Sequence, residues 1–252
     1  MSDDLPEAIP AATLILMRPA ASGPPELLMM ERAETMAFAA GALVFPGGRI
    51  DPDDHEIGRR HRSYSDAAAR IAAIRETIEE TGIAPALRPD PAAEAVDQLR
   101  AALADGFTFS QLLDLTGLEL DLDALVPFAR WCPNFRETRR FDTLFYVAEA
   151  PADAQAGSAD ETESVHTLWV TAADILAEID SGGAHAIFPT RRNLERLARF
   201  ASIEDARADA ARHPVEKITP WVEEREGRHW VCIPEGIGYP VTAEPLETAR
   251  RR

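Results

Sequence analysis

The sequence predicts an α/β/α sandwich on a mixed sheet, with a helical insertion. Three observations predict it. Short apolar runs recur from Ala11 to Val170 and read as buried strands. Stretches of helical periodicity lie between and after them. The two kinds of element alternate without the regular strand–helix rhythm of a doubly wound parallel sheet, which leaves a mixed sheet with helices on its faces.

Taken in order, Ala11 to Met17 reads as a buried strand, Gly23-Pro24-Pro25 as a turn, and Leu27 to Glu31 as the hairpin partner. A loop over 32–40 leads to a short strand, Ala42 to Phe45, entering Pro46-Gly47-Gly48, where glycine permits positive φ and close backbone approach. A loop is expected over 55–65. Asp66 is a credible cap for a long helix that Gly82 ends in the left-handed conformation. Pro85, Pro89 and Pro91 then break regular structure, and helical patterns over 92–104 and 109–115 predict an inserted helical region over 84–123. Strands follow over 125–131, 140–148 and 165–170. The second is apolar on both of its alternating faces, as a central strand should be. Helices over 171–180, 189–200 and 203–212 and a hairpin turning at Glu226-Gly227 complete the chain. The organisation expected is one domain over 1–252, with additions at 55–65, at 84–123 and from 189 onward.

Composition narrows the function. Hydrophobic residues make up 46% of the chain, ample for a core. The net charge of −17 argues against a nucleic-acid footprint, so any polyanionic ligand must be drawn in by local cations or metal. Cys132 and Cys232 suit neither a disulfide framework nor a zinc cluster. No apolar run approaches membrane-spanning length and the N-terminus lacks a signal core, so a cytoplasmic protein with no membrane partner is expected.

The chemistry centres on the helix over 71–83. Ile71, Ile74 and Ile78 share one face, and Glu76, Glu79 and Glu80 share another. Three like charges on one patch repel, each neighbouring pair by a few tenths of a kcal/mol. The patch is either a solvated acidic face or the oxygen-donor set of a hard cation such as Mg²⁺.

The run Arg75-Glu76-x-x-Glu79-Glu80-x-Gly82-Ile83, preceded by Phe45-Pro46-Gly47-Gly48, resembles the box of the Nudix hydrolase superfamily. It departs in three ways. Between Gly48 and Arg75 lie 26 residues, about twice the usual spacing; Thr77 follows the Arg-Glu pair; and the early glutamate is absent as such, with Asp51, Asp53 and Asp54 nearby. The stretch over 28–48, Arg139 to Thr143 and Pro189 to Leu194 look like the coenzyme A diphosphatase-like branch with an extended box.

The resemblance implies the Nudix fold and hydrolysis of a diphosphate in coenzyme A or its thioesters. The alternatives are another nucleoside diphosphate derivative, or a silent nucleotide-binding module. It implies Mg²⁺ or Mn²⁺ held by Glu76, Glu79, Glu80 and a carbonyl at Gly47, with Arg75 orienting a carboxylate. The base would be Glu76 or a late-loop acid, Glu163, with Glu161 as the alternative. Arg32, Gly48 and Arg140 are the candidates for holding substrate; Arg136, Arg139, Arg191 and Arg192 are further local cations. Dimers are common in the superfamily, but no stretch identifies an interface.

Overall fold

The structure is a computed structural model and describes residues 6–32, 41–133, 140–152, 154 and 164–249. In chain order the strands and helices begin β1 (Ile9–Arg18), β2 (Glu26–Arg32), β3 (Leu43–Val44), β4 (Gly47–Arg49), α1 (Pro52–Gly58) and α2 (Ala67–Thr81). The insertion follows as β5 (Leu87–Arg88), α3 (Ala93–Ala104), α4 (Phe109–Thr116) and β6 (Glu119–Leu120). Then come β7 (Val126–Trp131), β8 (Phe141–Glu149), β9 (Ser164–Thr171), α5 (Ala172–Ser181), α6 (Phe188–Leu197) and α7 (Ile203–Arg212). The last part holds β10 (Lys217–Ile218), β11 (Trp221–Arg225), β12 (Arg228–Cys232), β13 (Ala243–Pro245) and α8 (Leu246–Ala249).

Among the described residues an eight-stranded mixed sheet runs β10-β7-β8-β1-β2-β3, with β4 also paired to β1 and β9 to β2. β8 is central, parallel to β1 and antiparallel to β7. Alternation along the strands divides the core in two. Leu14, Leu16, Leu28, Tyr146 and Ala148 face the layer of α1 to α4; Ile15, Met17, Leu27, Met29 and Val147 face α5 to α7. This is the α/β/α sandwich expected.

The elements agree with the sequence pattern in type, and the differences have local causes. β2 leaves β1 after two pairs, Met17 with Leu27 and Arg18 with Glu26, and β4 takes its place beside Ala11 to Thr13. The expected loop over 55–65 begins as helix, because Pro52 and the flanking aspartates start α1. Asp66 does not cap α2 with its side chain; it pairs with Arg70 at 2.9 Å and accepts from the Tyr146 hydroxyl at 3.0 Å. Gly82 ends α2 at φ 67° as expected. Thr171 and Ser202 cap α5 and α7 through Asp174 N and Asp205 N. The C-terminal hairpin gains a third strand, β13, through pairs such as Val231 with Glu244, while β10 joins the main sheet beside β7.

The inserted helices pack outside α2 and α1, with Val96, Leu99, Phe109 and Leu112 in the same core as Ile71, Ile74 and Ile78. Asp53 of α1 accepts from Ser110 N at 2.9 Å, and the Arg70 guanidinium donates to the Leu122 carbonyl at 2.8 Å. α2 is thus enclosed between sheet and insertion, which explains why nearly all of it is buried.

Strand register gathers one end of the sheet. Ile9 pairs with Phe141, Thr13 with Gly47, Met30 with Val44 and Arg32 with Ser164. The starts of β1, β3, β8 and β9, the end of β2, and all of β4 therefore meet there, and the C-terminal half of α2 lies across them.

Candidate active site

The centre of the site is Arg75, only 6% exposed. Its Nε and Nη2 donate to Asp54 Oδ1 and Oδ2 at 3.1 and 2.9 Å, a two-pronged pair. Nη2 also donates to the Arg49 carbonyl at 3.0 Å, just past the glycine loop. Nη1 lies between two glutamates, 2.9 Å from Glu76 Oε1 and 3.2 Å from each oxygen of Glu79. One planar cation therefore ties α1, the glycine loop and the acidic face of α2 together, which a point-like ammonium could not do.

The glycine loop abuts the other side of the carboxylates. Glu80, 5% exposed, accepts from Gly47 N at 2.8 Å. A Cβ on Gly48 would come within 2.5 Å of the Glu76 carboxylate. At Gly47, φ is 154°, and a Cβ would meet the Ala12 carbonyl at 2.4 Å. Glycine is thus required at 47 by the approach of β4 to β1, and at 48 by the approach of Glu76. Burial of Glu80 also removes the reading of a freely solvated acidic face.

Electrostatics at this site are unbalanced. Burial is the main cause pushing Glu76 up to about 7; Arg75 opposes it and the Glu79 charge adds to it. Burial raises Glu79 and Asp54 as well, against the pull of Arg75. Burial works against the charge of Arg75 itself, but Asp54, Glu76 and Glu79 more than restore it. The glutamates also sit toward the C-terminal, negative end of α2, whose last turn has no basic residue of its own. Such a site lacks positive charge.

The oxygen donors fit a hard divalent cation in kind. Among the described residues, no three His, Cys, Asp or Glu side chains are arranged as a metal-holding group. The reason is visible: Arg75 Nη1 separates Glu76 from Glu79, and Glu80 is turned to the Gly47 N–H.

Of the residues expected from sequence, Arg75, Glu76, Glu79, Glu80, Gly47 and Gly48 come together. Arg32 and Arg140 lie at the same end of the sheet, and strand alternation from Leu28 and Leu144 puts both on the face of α2. Among the described residues neither has a carboxylate partner, and the Nε of each is buried without a hydrogen-bond partner. Glu163, Glu161, Arg136 and Arg139 lie outside the described residues.

Arg191 and Arg192 are corrected as phosphate cations. They sit in the opposite layer, Arg191 on Asp180 and Glu195 at 2.6 and 3.3 Å, Arg192 on Glu195 and Glu244 at 2.7 and 3.0 Å.

The structure separates the three aspartates left open by the sequence. Asp54, fully buried, takes Arg75; Asp53 takes Ser110; Asp51 is exposed, 3.8 Å from Arg75. The usable signal was Asp51-Pro52, which begins a helix and turns Asp54 inward, its carboxylate accepting from Asp51 N at 2.8 Å. Thr77 is satisfied within α2, donating to the Ala73 carbonyl at 2.7 Å.

No family model matches the chain. Among solved structures, a Nudix hydrolase from Alicyclobacillus acidocaldarius superposes with a TM-score of 0.71 at 30% identity, over 80% of this chain and 96% of that one. Among curated proteins, the acyl-coenzyme A diphosphatase NUDT19 of Gallus gallus is 26% identical, over 78% of this chain and 67% of its own length. The Homo sapiens protein of the same name is 25% identical, over 84% of this chain and 74% of its own.

Proposed function

The chain belongs to the Nudix hydrolase family, and we propose that it is a divalent-metal-dependent diphosphatase acting on coenzyme A or its thioesters. The reaction adds water across the phosphorus–oxygen–phosphorus bridge. It would release phosphopantetheine, free or acylated, and adenosine 3′,5′-bisphosphate. The observation that carries the metal-dependent part is the gathering of Glu76, Glu79 and Glu80 against Gly47-Gly48 around one arginine. The substrate rests on likeness to the proteins named acyl-coenzyme A diphosphatase.

Glu76, Glu79 and Glu80, with the main chain at Gly47, would hold Mg²⁺ or Mn²⁺. The cation supplies positive charge to neutralise the diphosphate and acidify the attacking water. Arg75, locked by Asp54, holds Glu76 and Glu79 in register with the loop. Glu76 is one proposed acceptor of the proton from the attacking water. Glu163 remains the other proposed acceptor. Arg32 and Arg140, without carboxylate partners among the described residues, would hold substrate phosphates.

The test is product analysis with Mg²⁺ or Mn²⁺ on coenzyme A, an acyl-coenzyme A, dephospho-coenzyme A, ADP-ribose and a dinucleoside polyphosphate. Turnover of the coenzyme A compounds alone supports the reading. Turnover of another compound alone discards the substrate and keeps the metal chemistry.

A further inference from the structure

We propose that Arg100, on inserted helix α3, is a positioning residue for the glutamate turn of α2, so that the insertion braces the site. This rests on the reading of Glu79 and Glu80 as metal-holding residues. Arg100 Nε donates to the Glu79 carbonyl at 2.9 Å, and Nη2 reaches the Glu80 carbonyl at 3.5 Å. These carbonyls belong to the last turn of α2, where no further helical N–H exists to receive them. One guanidinium thus holds the main chain of two consecutive residues whose side chains point into the site.

The electrostatics agree. The C-terminal end of a helix is negative, α2 has three glutamates in its last two turns, and its last turn has no basic residue. The compensating cation comes from another element. Gly82 turns the chain away there, and a Cβ on it would lie 3.5 Å from Arg100 Nη1, so the guanidinium lies directly against the helix end.

The brace is itself anchored. Val96 and Leu99 place α3 in the core shared with Ile78 and Ile83. Asp53, next to the Asp54 that locks Arg75, accepts from Ser110 Oγ and N at the start of α4. The insertion therefore touches the site's support twice, at the end of α2 and at the start of α1. A rigid element that fixes ligand-bearing main chain controls metal affinity without touching the metal.

The experiment is Mn²⁺ titration of the full chain, following free Mn²⁺ by its EPR signal, with a melting temperature for each variant. Arg100→Met is expected to weaken Mn²⁺ binding about tenfold, the scale of lost outer support at metal sites. Arg60→Ala, which removes the surface pair with Asp114 between α1 and α4, should bind Mn²⁺ as the parent does. Glu80→Gln should lose binding more deeply than Arg100→Met. A lowered melting temperature in Arg100→Met with parental Mn²⁺ affinity, while Glu80→Gln loses it, overturns the brace and leaves the metal reading standing. Parental affinity in Glu80→Gln overturns that reading, and the brace with it. If Arg100→Met does not fold, Arg100→Gln, which keeps donors without charge, is read by the same two outcomes.

Discussion

Two buried arginine networks occupy opposite faces of the sheet. On the α6 face, Arg191, Arg192 and Arg196 pair with Asp180, Glu195, Glu244 and Asp209: three cations to four carboxylates. On the α2 face, among the described residues, Arg75 contacts Asp54, Glu76 and Glu79 and lies 3.8 Å from Asp51: one guanidinium to four carboxylates. Both networks are centred on buried guanidiniums and joined by short hydrogen bonds, with Asp180 at the exposed edge of the first. The first is close to neutral and ties α6 to α7 and to β13, so its product is stability. The second holds excess negative charge against a glycine loop, so its product is affinity for a cation. Burial of arginine and carboxylate does not mark a site; an unbalanced charge does.

The largest break in that comparison comes from Glu80→Gln. Turnover should fall on the order of a thousandfold, with the melting temperature nearly kept, because a charge that holds metal is lost while the Gly47 hydrogen bond survives. Steady-state kinetics at saturating Mg²⁺ checks it, and near-parental kcat would remove Glu80 from the metal-holding set.

The matching break on the other face is Arg196→Met. Arg196 is paired with Asp209 at 2.8 Å and donates to the Phe128 carbonyl at 3.0 Å. Removing it leaves the buried Asp209 carboxylate only the longer contacts with His213 and Arg212, at 3.4 and 3.8 Å, and should destabilise by about 3 kcal/mol, read by urea unfolding, with kcat and KM of the folded fraction unchanged. A loss of kcat instead would mean that the two faces are not independent.

A smaller effect separates arginines with a carboxylate partner from those that have none among the described residues. Arg140→Ala and Arg32→Ala should each raise KM about tenfold with little change in kcat, the mark of lost uniform binding. Arg191→Ala, already satisfied by Asp180 and Glu195, should leave KM where it is. Equal KM in all three would show that the missing partners of Arg32 and Arg140 are not substrate.

The smallest effect is a pH dependence at the start of β8. Burial pushes Asp142 upward, but hydrogen bonds from Arg130 and Lys217 outweigh it and hold the carboxyl below its ordinary 3.8. The pair's contribution is therefore complete above that value and is lost as pH falls through the lower folded value. Stability of the parent relative to Asp142→Asn, followed by acid unfolding, should shrink across that window. A constant difference down to the acid limit would contradict it.

The site helix was legible because its signal is local: isoleucines at helical spacing, glutamates on another face and a terminal glycine are all read within one stretch. The strands were legible for the same reason. What escaped depends on distance in sequence. Asp54 and Arg75 are 21 positions apart, and the one local pointer, the helix start at Asp51-Pro52, turns Asp54 inward without telling that Arg75 awaits it. Arg100 reaches carbonyls 20 and 21 positions away. The basic run at Arg191-Arg192 misled because two of its three carboxylate partners, Asp180 on α5 and Glu244 on β13, lie on other elements, and only Glu195 is a neighbour on α6. The β1–β2 hairpin formed as expected, but β4 takes over beside β1 after two pairs, where Gly47 allows a closeness that no side chain would.

The most direct test of the central claim is thermal unfolding of chelator-treated protein, titrated with Mn²⁺, for the parent and for Glu79→Gln and Glu80→Gln. The account predicts a melting temperature that rises with Mn²⁺ in the parent, since a ligand bound only by the folded state stabilises it, and a rise largely lost in both variants. The same rise in all three proteins would contradict the assignment of the α2 glutamates as the residues that hold the metal.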